Sequence, residues 1–162
     1  MKIAITGHTK GLGLAFYNHF KYSDDVIGLS RSTGHDINQP DTLVPIIESC
    51  DLFINNAYCE QQQSKLIELT TVPIISCGSM GADFARSGNP YYINKRHLED
   101  THKRIRRTTD RLMLLLKMGF LQNYADKSPI MYSEILSAVD WWLVSPRVTM
   151  IEFENHCLIY GA

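Results

Sequence analysis

Apolar residues fall along this chain in short runs, separated by stretches with helical spacing. Lys2–Ile5 ("KIAI") is an apolar run that stops at Gly7, which predicts a buried strand. Leu12, Ala15, Phe16 and Phe20 then share one face of a predicted helix. Val26–Ser30 predicts a second strand, and the polar, turn-rich stretch 31–40 has room for at most a stub of strand. Pro40–Ser49 predicts a helix with Pro40 in its first turn and Pro45 as a kink or a later start. Asp51–Asn55 predicts a strand, Glu60–Thr70 a helix and Val72–Ser76 a strand. A Gly/Ser-rich loop runs on to Asn89, and Pro90 opens a long polar helix ending near Arg107. The apolar run Arg111–Lys117 fits a strand but also a helix. Tyr132–Val144 predicts a helix with Ile135, Val139 and Trp142 on one face, and Arg147–Phe153 alternates as a closing strand.

Strands alternating with helices predict the α/β class: a Rossmann-like, doubly wound parallel sheet in three layers, with a reduced third-strand region. At 162 residues, the span 1–162 is expected to be one domain. Ligands of such sheets bind at the carboxyl ends of the strands. The formal net charge of -1 gives no global field toward nucleic acid or anionic membrane. No apolar run approaches the roughly 18 residues of a membrane span. The N-terminus reads as a strand feeding a turn, not as a secretory signal, so the protein is expected in the cytoplasm. Cys50, Cys59, Cys77 and Cys157 form no CxxC pair and are expected to be free thiols. His97 and His102 are five apart, wrong for two ligands on one helical face, and no metal site is expected. "HKRIRR" (His102–Arg107) is a weak nucleic-acid motif. It fits better as a surface helix end, where cations suit the dipole and Glu99–Lys103 and Asp100–Arg104 can pair.

The chemistry begins at "TGHTKGLG" (Thr6–Gly13), between the first strand and the first helix. Gly7 permits a tight turn, Gly11 lets the backbone approach a pyrophosphate, and Gly13 lets the helix pack close to the strand. The helix start would aim its N–H groups and positive dipole end at phosphate. Thr9, Lys10 and Leu12 belong to the same candidate set. The second strand ends with Ser30 and Arg31 and carries no acid. An acid there would suit the ribose 2′-OH of NAD(H), whereas a cation suits the 2′-phosphate of NADP(H).

The Gly-x-x-x-Gly-x-Gly spacing after Thr6 resembles the short-chain dehydrogenase/reductase family, and further landmarks follow in order. "DLFINNA" resembles the family's Asn-Asn-Ala segment at Asn55, Asn56 and Ala57, with Tyr58 where the family usually has Gly. "IISCGSMG" resembles the strand and loop that carry the catalytic Ser. "YYINK" contains Tyr-x-x-x-Lys at Tyr91 and Lys95. "KMGF" (Lys117–Phe120) resembles the Pro-Gly segment beside the nicotinamide, with Met118 replacing Pro and with Gly119 and Phe120 next to the cofactor. Asp36 and Ile37 resemble the pair beside the adenine. Lys10 stands where NADP-preferring members often carry a cation, so NADP(H) is expected over NAD(H).

Tyr91 and Lys95, at i and i+4, share a helix face. A free phenol titrates near about 10, and a neighbouring ammonium favours the phenolate. The resemblance implies that Tyr91 exchanges a proton at the carbonyl or alcohol oxygen. It also implies that Lys95 holds the nicotinamide ribose and that a Ser bonds the substrate oxygen. Ser79, twelve residues before Tyr91, is the expected Ser, while alignment from the strand offers Ser76 or Cys77. Tyr92 is the rival tyrosine, but its i+4 partner is Arg96, which holds its charge too firmly for a relay. The family's relay Asn has no assignable counterpart, although Gln61, Gln62 and Gln63 offer amides. The segment 121–131 is too short for the family's larger lid. The expected function is NADP(H)-dependent reduction or oxidation of a small carbonyl or alcohol. The alternative is a non-catalytic dinucleotide sensor or interaction protein on the same fold. The resemblance further implies a homodimer or homotetramer.

Overall fold

The first strand, β1 (Lys2–Thr6), is buried on both faces, with Ile3, Ala4 and Ile5 fully enclosed. A continuous apolar run of this kind suits a central strand of a parallel sheet. The computed structural model describes residues 1–119, 121 and 130–154. After β1 come α1 (Gly11–Phe20), β2 (Asp25–Leu29), α2 (Pro40–Glu48), β3 (Leu52–Asn55), α3 (Gln62–Leu69) and β4 (Ile74–Cys77). A kinked 3-10 segment, Met80–Ser87, leads to α4 (Pro90–Thr108), β5 (Met113–Met118), α5 (Tyr132–Val144) and β6 (Met150–Phe153). The six strands form one parallel sheet in the order β2-β1-β3-β4-β5-β6.

The strand period of two divides the core between the two faces. Ile3, Ile5, Leu52, Ile54, Ile75, Leu114 and Leu116 meet Leu12, Phe16 and Phe20 of α1 and Ile135, Val139 and Trp142 of α5. Ala4, Phe53, Ile74 and Met113 point the other way, onto Leu43 and Ile47 of α2, Leu66 and Ile67 of α3, and Leu98 of α4. This is the three-layer arrangement. Each fully buried Ile, Leu or Phe contributes about 1.5–3 kcal/mol. Trp142 is enclosed because its indole N–H donates to Val148 O at 2.7 Å, while Trp141 stays half exposed.

Two sequence expectations are sharpened. The reduced third strand is absent altogether. A 3-10 turn at Arg31–Thr33, closed by Gly34 at φ 80, takes its place, and the chain reaches α2 directly. This leaves β2 as a sheet edge. Arg111–Lys117 resolves as a strand, because β5 lies between β4 and β6 with every residue buried. Pro45 sits inside α2 without ending it. In "HKRIRR", His102 is buried, Lys103 pairs with Glu99, and Arg104 pairs with Glu68 of α3 rather than with Asp100. Among the described residues, no helix is long and apolar enough to cross a membrane.

Candidate functional site

The strand order reverses around β1, with β2 on one side and β3 on the other, so a crevice opens at the carboxyl ends of β1 and β3. The glycine turn lies there. Gly7 has φ 71, and its N–H donates to Leu29 O at 2.8 Å, which fixes the turn beside the end of β2. Thr6 Oγ1 accepts from the N–H groups of Asn56 and Ala57 at 3.0 and 3.1 Å, and Asn56 Nδ2 donates to Thr6 O at 3.2 Å. The ends of β1 and β3 are thereby joined into one rim.

Gly13 packs so closely that a Cβ there would lie 2.1 Å from Gly7 O. Gly11 opens α1 at φ 55, with Tyr132 Oη 3.5 Å from its Cβ position as the nearest group. The side chain of Lys10, the cap residue, makes no hydrogen bond to the helix start. The first N–H groups of α1, on Gly11 and the buried Leu12, thus face the crevice without a side-chain cap. This is the cradle an anion needs.

Thr9, Lys10 and Arg31 are exposed around this turn. Ser30 is engaged locally, with its Oγ 2.8 Å from Ser32 Oγ and its N–H donating to Thr33 Oγ1 at 3.1 Å. Asp36 Oδ1 accepts from Asn38 N at 3.0 Å, and Ile37 packs on the core that α2, α3 and α4 cover. Asn55 is fully buried and serves the frame: its Nδ2 donates to Gln63 O at 2.8 Å. Gly119 donates to Phe153 O at 3.0 Å, beyond the end of β5. Phe120 lies outside the described residues.

Tyr91 is held at the start of α4, where its N–H donates to Asn89 Oδ1 at 2.9 Å. Its ring packs edge-on against Tyr58 at 4.9 Å. Lys95 Nζ lies 5.8 Å from the centroid of the Tyr91 ring and 5.4 Å from that of Tyr58. The ammonium is buried and donates to Gln63 Oε1 at 2.8 Å and to Cys77 O at 2.9 Å. Burial lowers its pKa to about 8, partly opposed by the Cys77 thiol. Tyr92 turns away onto Gly81, where a Cβ would lie 2.6 Å from its ring, and Arg96 binds Ala82 O, Asp83 and Glu99. These contacts press the 3-10 segment against α4.

Of the three serine-position candidates, Ser76 and Cys77 lie inside β4 and are buried, and burial pushes the Cys77 thiol up to about 12. Ser79 lies past the strand, partly exposed, where its Oγ accepts from Gly81 N at 3.1 Å. The residue that sequence reasoning left unassigned is Gln63. Its amide reaches the Lys95 ammonium from α3. The only signal in the sequence was a run of three glutamines, which does not say which one faces inward.

No sequence-family model matches the chain, and no curated protein sequence matches it. Its fold is similar to that of a bulky-bulky ketone specific alcohol dehydrogenase from Comamonas testosteroni, at 13% identity and a TM-score of 0.73, covering 97% of this chain and 87% of that one. A short-chain dehydrogenase from Sphingobium yanoikuyae in complex with NADPH matches with a TM-score of 0.74 at 12% identity, over 96% of this chain and 88% of that one. The TT0495 protein from Thermus thermophilus matches with a TM-score of 0.75 at 15% identity, over 98% and 99% of the two chains. At these identities the likeness is one of fold.

Proposed function

We propose that the protein is an oxidoreductase of the short-chain type, dependent on NADP(H) and acting on a small carbonyl or alcohol. One observation carries this reading. A buried ammonium, Lys95, lies against the ring of a partly exposed tyrosine, Tyr91, on the helix that follows the strand beside the crevice. The glycine turn suits a dinucleotide by its own geometry: two left-handed glycines, a third with no room for a side chain, and an uncapped helix start. Gly7, Thr9, Gly11, Leu12 and Gly13 would hold the pyrophosphate, and Asn56, Ala57 and Lys95 would line the ribose side. Gly119 would flank the ring and Asp36 and Ile37 the adenine. Bound there, the nicotinamide supplies or accepts the hydride.

The chain's own residues then handle the proton and the geometry. Tyr91 gives its hydroxyl proton to the substrate oxygen in reduction and takes it back in oxidation. The Lys95 ammonium stabilises the phenolate that remains, as a nearby positive charge must. Ser79 orients the substrate oxygen by a hydrogen bond. Lys10 and Arg31, exposed beside the end of β2 with no carboxylate in the strand-end position, favour a 2′-phosphate.

A second reading has its own support. Tyr58 stands where the resemblance predicts Gly, and its ring covers the Lys95 ammonium. That contact favours a protein that binds the dinucleotide without turning over a substrate. The two readings separate in one experiment. Fluorescence titration should show NADPH binding more tightly than NADH, and Arg31→Ala should remove about tenfold of that preference, the worth of one charge-assisted phosphate contact. On a panel of aldehydes and ketones, Tyr91→Phe should abolish turnover and spare NADPH binding. Binding without any turnover by the native protein selects the sensor. Failure of both nucleotides to bind below millimolar concentration removes both readings.

A further inference from the structure

Gln63 is almost fully buried, and all three of its amide positions are accounted for. Its Nε2 donates to Asn55 O of β3 at 2.9 Å and to Cys77 O of β4 at 3.5 Å. Its main-chain carbonyl accepts from Asn55 Nδ2 at 2.8 Å. With the NH2 end committed to two strand carbonyls, the oxygen end can only face the remaining partner, Lys95 Nζ, at 2.8 Å. The Lys95 ammonium has three donors. Gln63 Oε1 and Cys77 O take two of them, and the rings of Tyr58 and Tyr91 lie over the remaining side.

We propose that Gln63 is a positioning residue for Lys95: a dry side-chain amide, anchored to two strands, that holds the ammonium charged and turned toward Tyr91. Its role in turnover rests on the reading of Tyr91 and Lys95 given above; the clamp itself does not. The groups facing Lys95 are the main-chain carbonyl of Cys77 from β4, the rings of Tyr58 and Tyr91, and the neutral amide of Gln63 from α3, while the Cys77 thiol packs in the core on the other face of the sheet. No carboxylate pairs with it among the described residues. An acceptor that bonds the ammonium favours its charged form, and the Gln63 amide does so through a hydrogen bond at 2.8 Å.

The test follows the Lys95 side chain by NMR in the full-length protein without nucleotide, using 13C,15N-lysine and assigning the signal by its loss in Lys95→Arg. Gln63→Met keeps the bulk and removes the acceptor, so the Lys95 midpoint should fall by about one unit. Gln63→Glu places a carboxylate at the same distance, so the midpoint should rise by at least about one unit. Opposite shifts from two variants at one site are what the clamp requires. If both variants raise the midpoint, Gln63 merely excludes water; if neither moves it, there is no clamp, and either result overturns the proposal. If Gln63→Met does not fold, the rise in Gln63→Glu carries the test, and its absence is refuting. Where the native protein turns over a carbonyl, Gln63→Met should lower kcat about tenfold or more, leave KM for NADPH little changed, and move the kcat–pH limb with the NMR midpoint. Opposite NMR shifts with no turnover in the native protein would leave the clamp standing and remove the oxidoreductase reading.

Discussion

Gly13→Ala tests the phosphate turn directly. The added methyl would lie 2.1 Å from Gly7 O, 2.8 Å from Gly7 C and 2.6 Å from Asn56 Nδ2. Two of these are backbone atoms of a turn already fixed by Gly7 N–H on Leu29 O, so no side chain can swing aside to relieve them. Comfortable contact requires about 3.5 Å, so the start of α1 or the turn must move by about 1.4 Å. Overpacking of this kind costs about 1–3 kcal/mol of stability. The same displacement carries the Gly11 and Leu12 N–H groups away from the cradle, and NADPH affinity should fall about tenfold or more. Gly88→Ala is the matched control. Gly88 has φ 79 with nothing within 4 Å of its Cβ position, so the cost is backbone strain alone, about 1–2 kcal/mol, at the end of the 3-10 segment and outside the turn. Urea unfolding should show comparable losses for both variants, and fluorescence titration should show weaker NADPH binding only for Gly13→Ala. Native-like NADPH affinity in a folded Gly13→Ala protein would refute the assignment of this turn to phosphate.

Two further predictions concern buried charge. His102 is enclosed in α4 with neither ring nitrogen bonded among the described residues, and burial, then Arg111 and Arg106, lowers its pKa to about 4. The unfolded chain binds this proton more readily, so the contribution to stability is complete above about pH 6.5 and is lost as pH falls toward 4, by at most about 3 kcal/mol. Urea unfolding at pH 7 and pH 4.5 should show a smaller acid loss in His102→Leu than in the native chain, and equal losses would contradict it. Lys117→Met should cost up to about 3 kcal/mol, because it removes the cation beside Glu99 Oε2 and the buried partner of Asp83, while Lys103 and Arg96 still hold Glu99 Oε1. Lys95→Met should cost less, since it removes a buried charge that has no ion-pair partner among the described residues, and chemical denaturation of both variants at neutral pH decides the order.

Sequence pattern carried the architecture wherever one residue type had one geometric reading. Gly7, Gly11 and Gly13 prescribed a turn that only their backbones can make, and Ile3–Ala4–Ile5 prescribed a strand closed on both faces. Ile135, Val139 and Trp142 marked the inner face of α5 by spacing alone. The apolar run at Arg111–Lys117 was ambiguous, because burial on both faces erases the period that separates strand from helix; pairing with β4 and β6 decides it. The third-strand region could be read as at most a stub but not as a 3-10 turn, since that turn depends on local bonds around Ser30 and Thr33 and shows only in β2 being left as the sheet edge. Ser30 looked like a ligand position, yet its hydroxyl and N–H are used by the turn that replaces that strand. Gln63 was hidden for a similar reason. Three successive glutamines point to three sides of a helix, and only the packing of α3 against β3 and β4 selects the one that meets Lys95.

Two lysines of this chain expose little of their surface, and their surroundings separate them: Lys95 lies deep, whereas Lys117 lies nearer the surface. Lys117 Nζ has Asp83 at 2.9 Å, Glu152 at 3.5 Å and Glu99 at 3.6 Å. Burial would lower its pKa, but these carboxylates outweigh burial and the net shift is upward, so it stays charged. Asp83 belongs to the 3-10 segment that begins after Ser79 and is also bound by Arg96 of α4. Lys117 therefore acts as a strut that fixes this segment to β5. Lys95 is surrounded instead by an amide, a carbonyl and two phenol rings, and burial brings it to about 8. A cation that must anchor a loop needs a counter-charge, since an unpaired buried charge costs several kcal/mol. A cation that is to act on a neighbouring phenol is better held by neutral acceptors, because a paired carboxylate would offset its charge, and Lys95 Nζ donates to an amide and a carbonyl. Among the described residues no acid pairs with Lys95, whereas Asp83, Glu99 and Glu152 surround Lys117; this contrast supports the role proposed for the first and a scaffold role for the second.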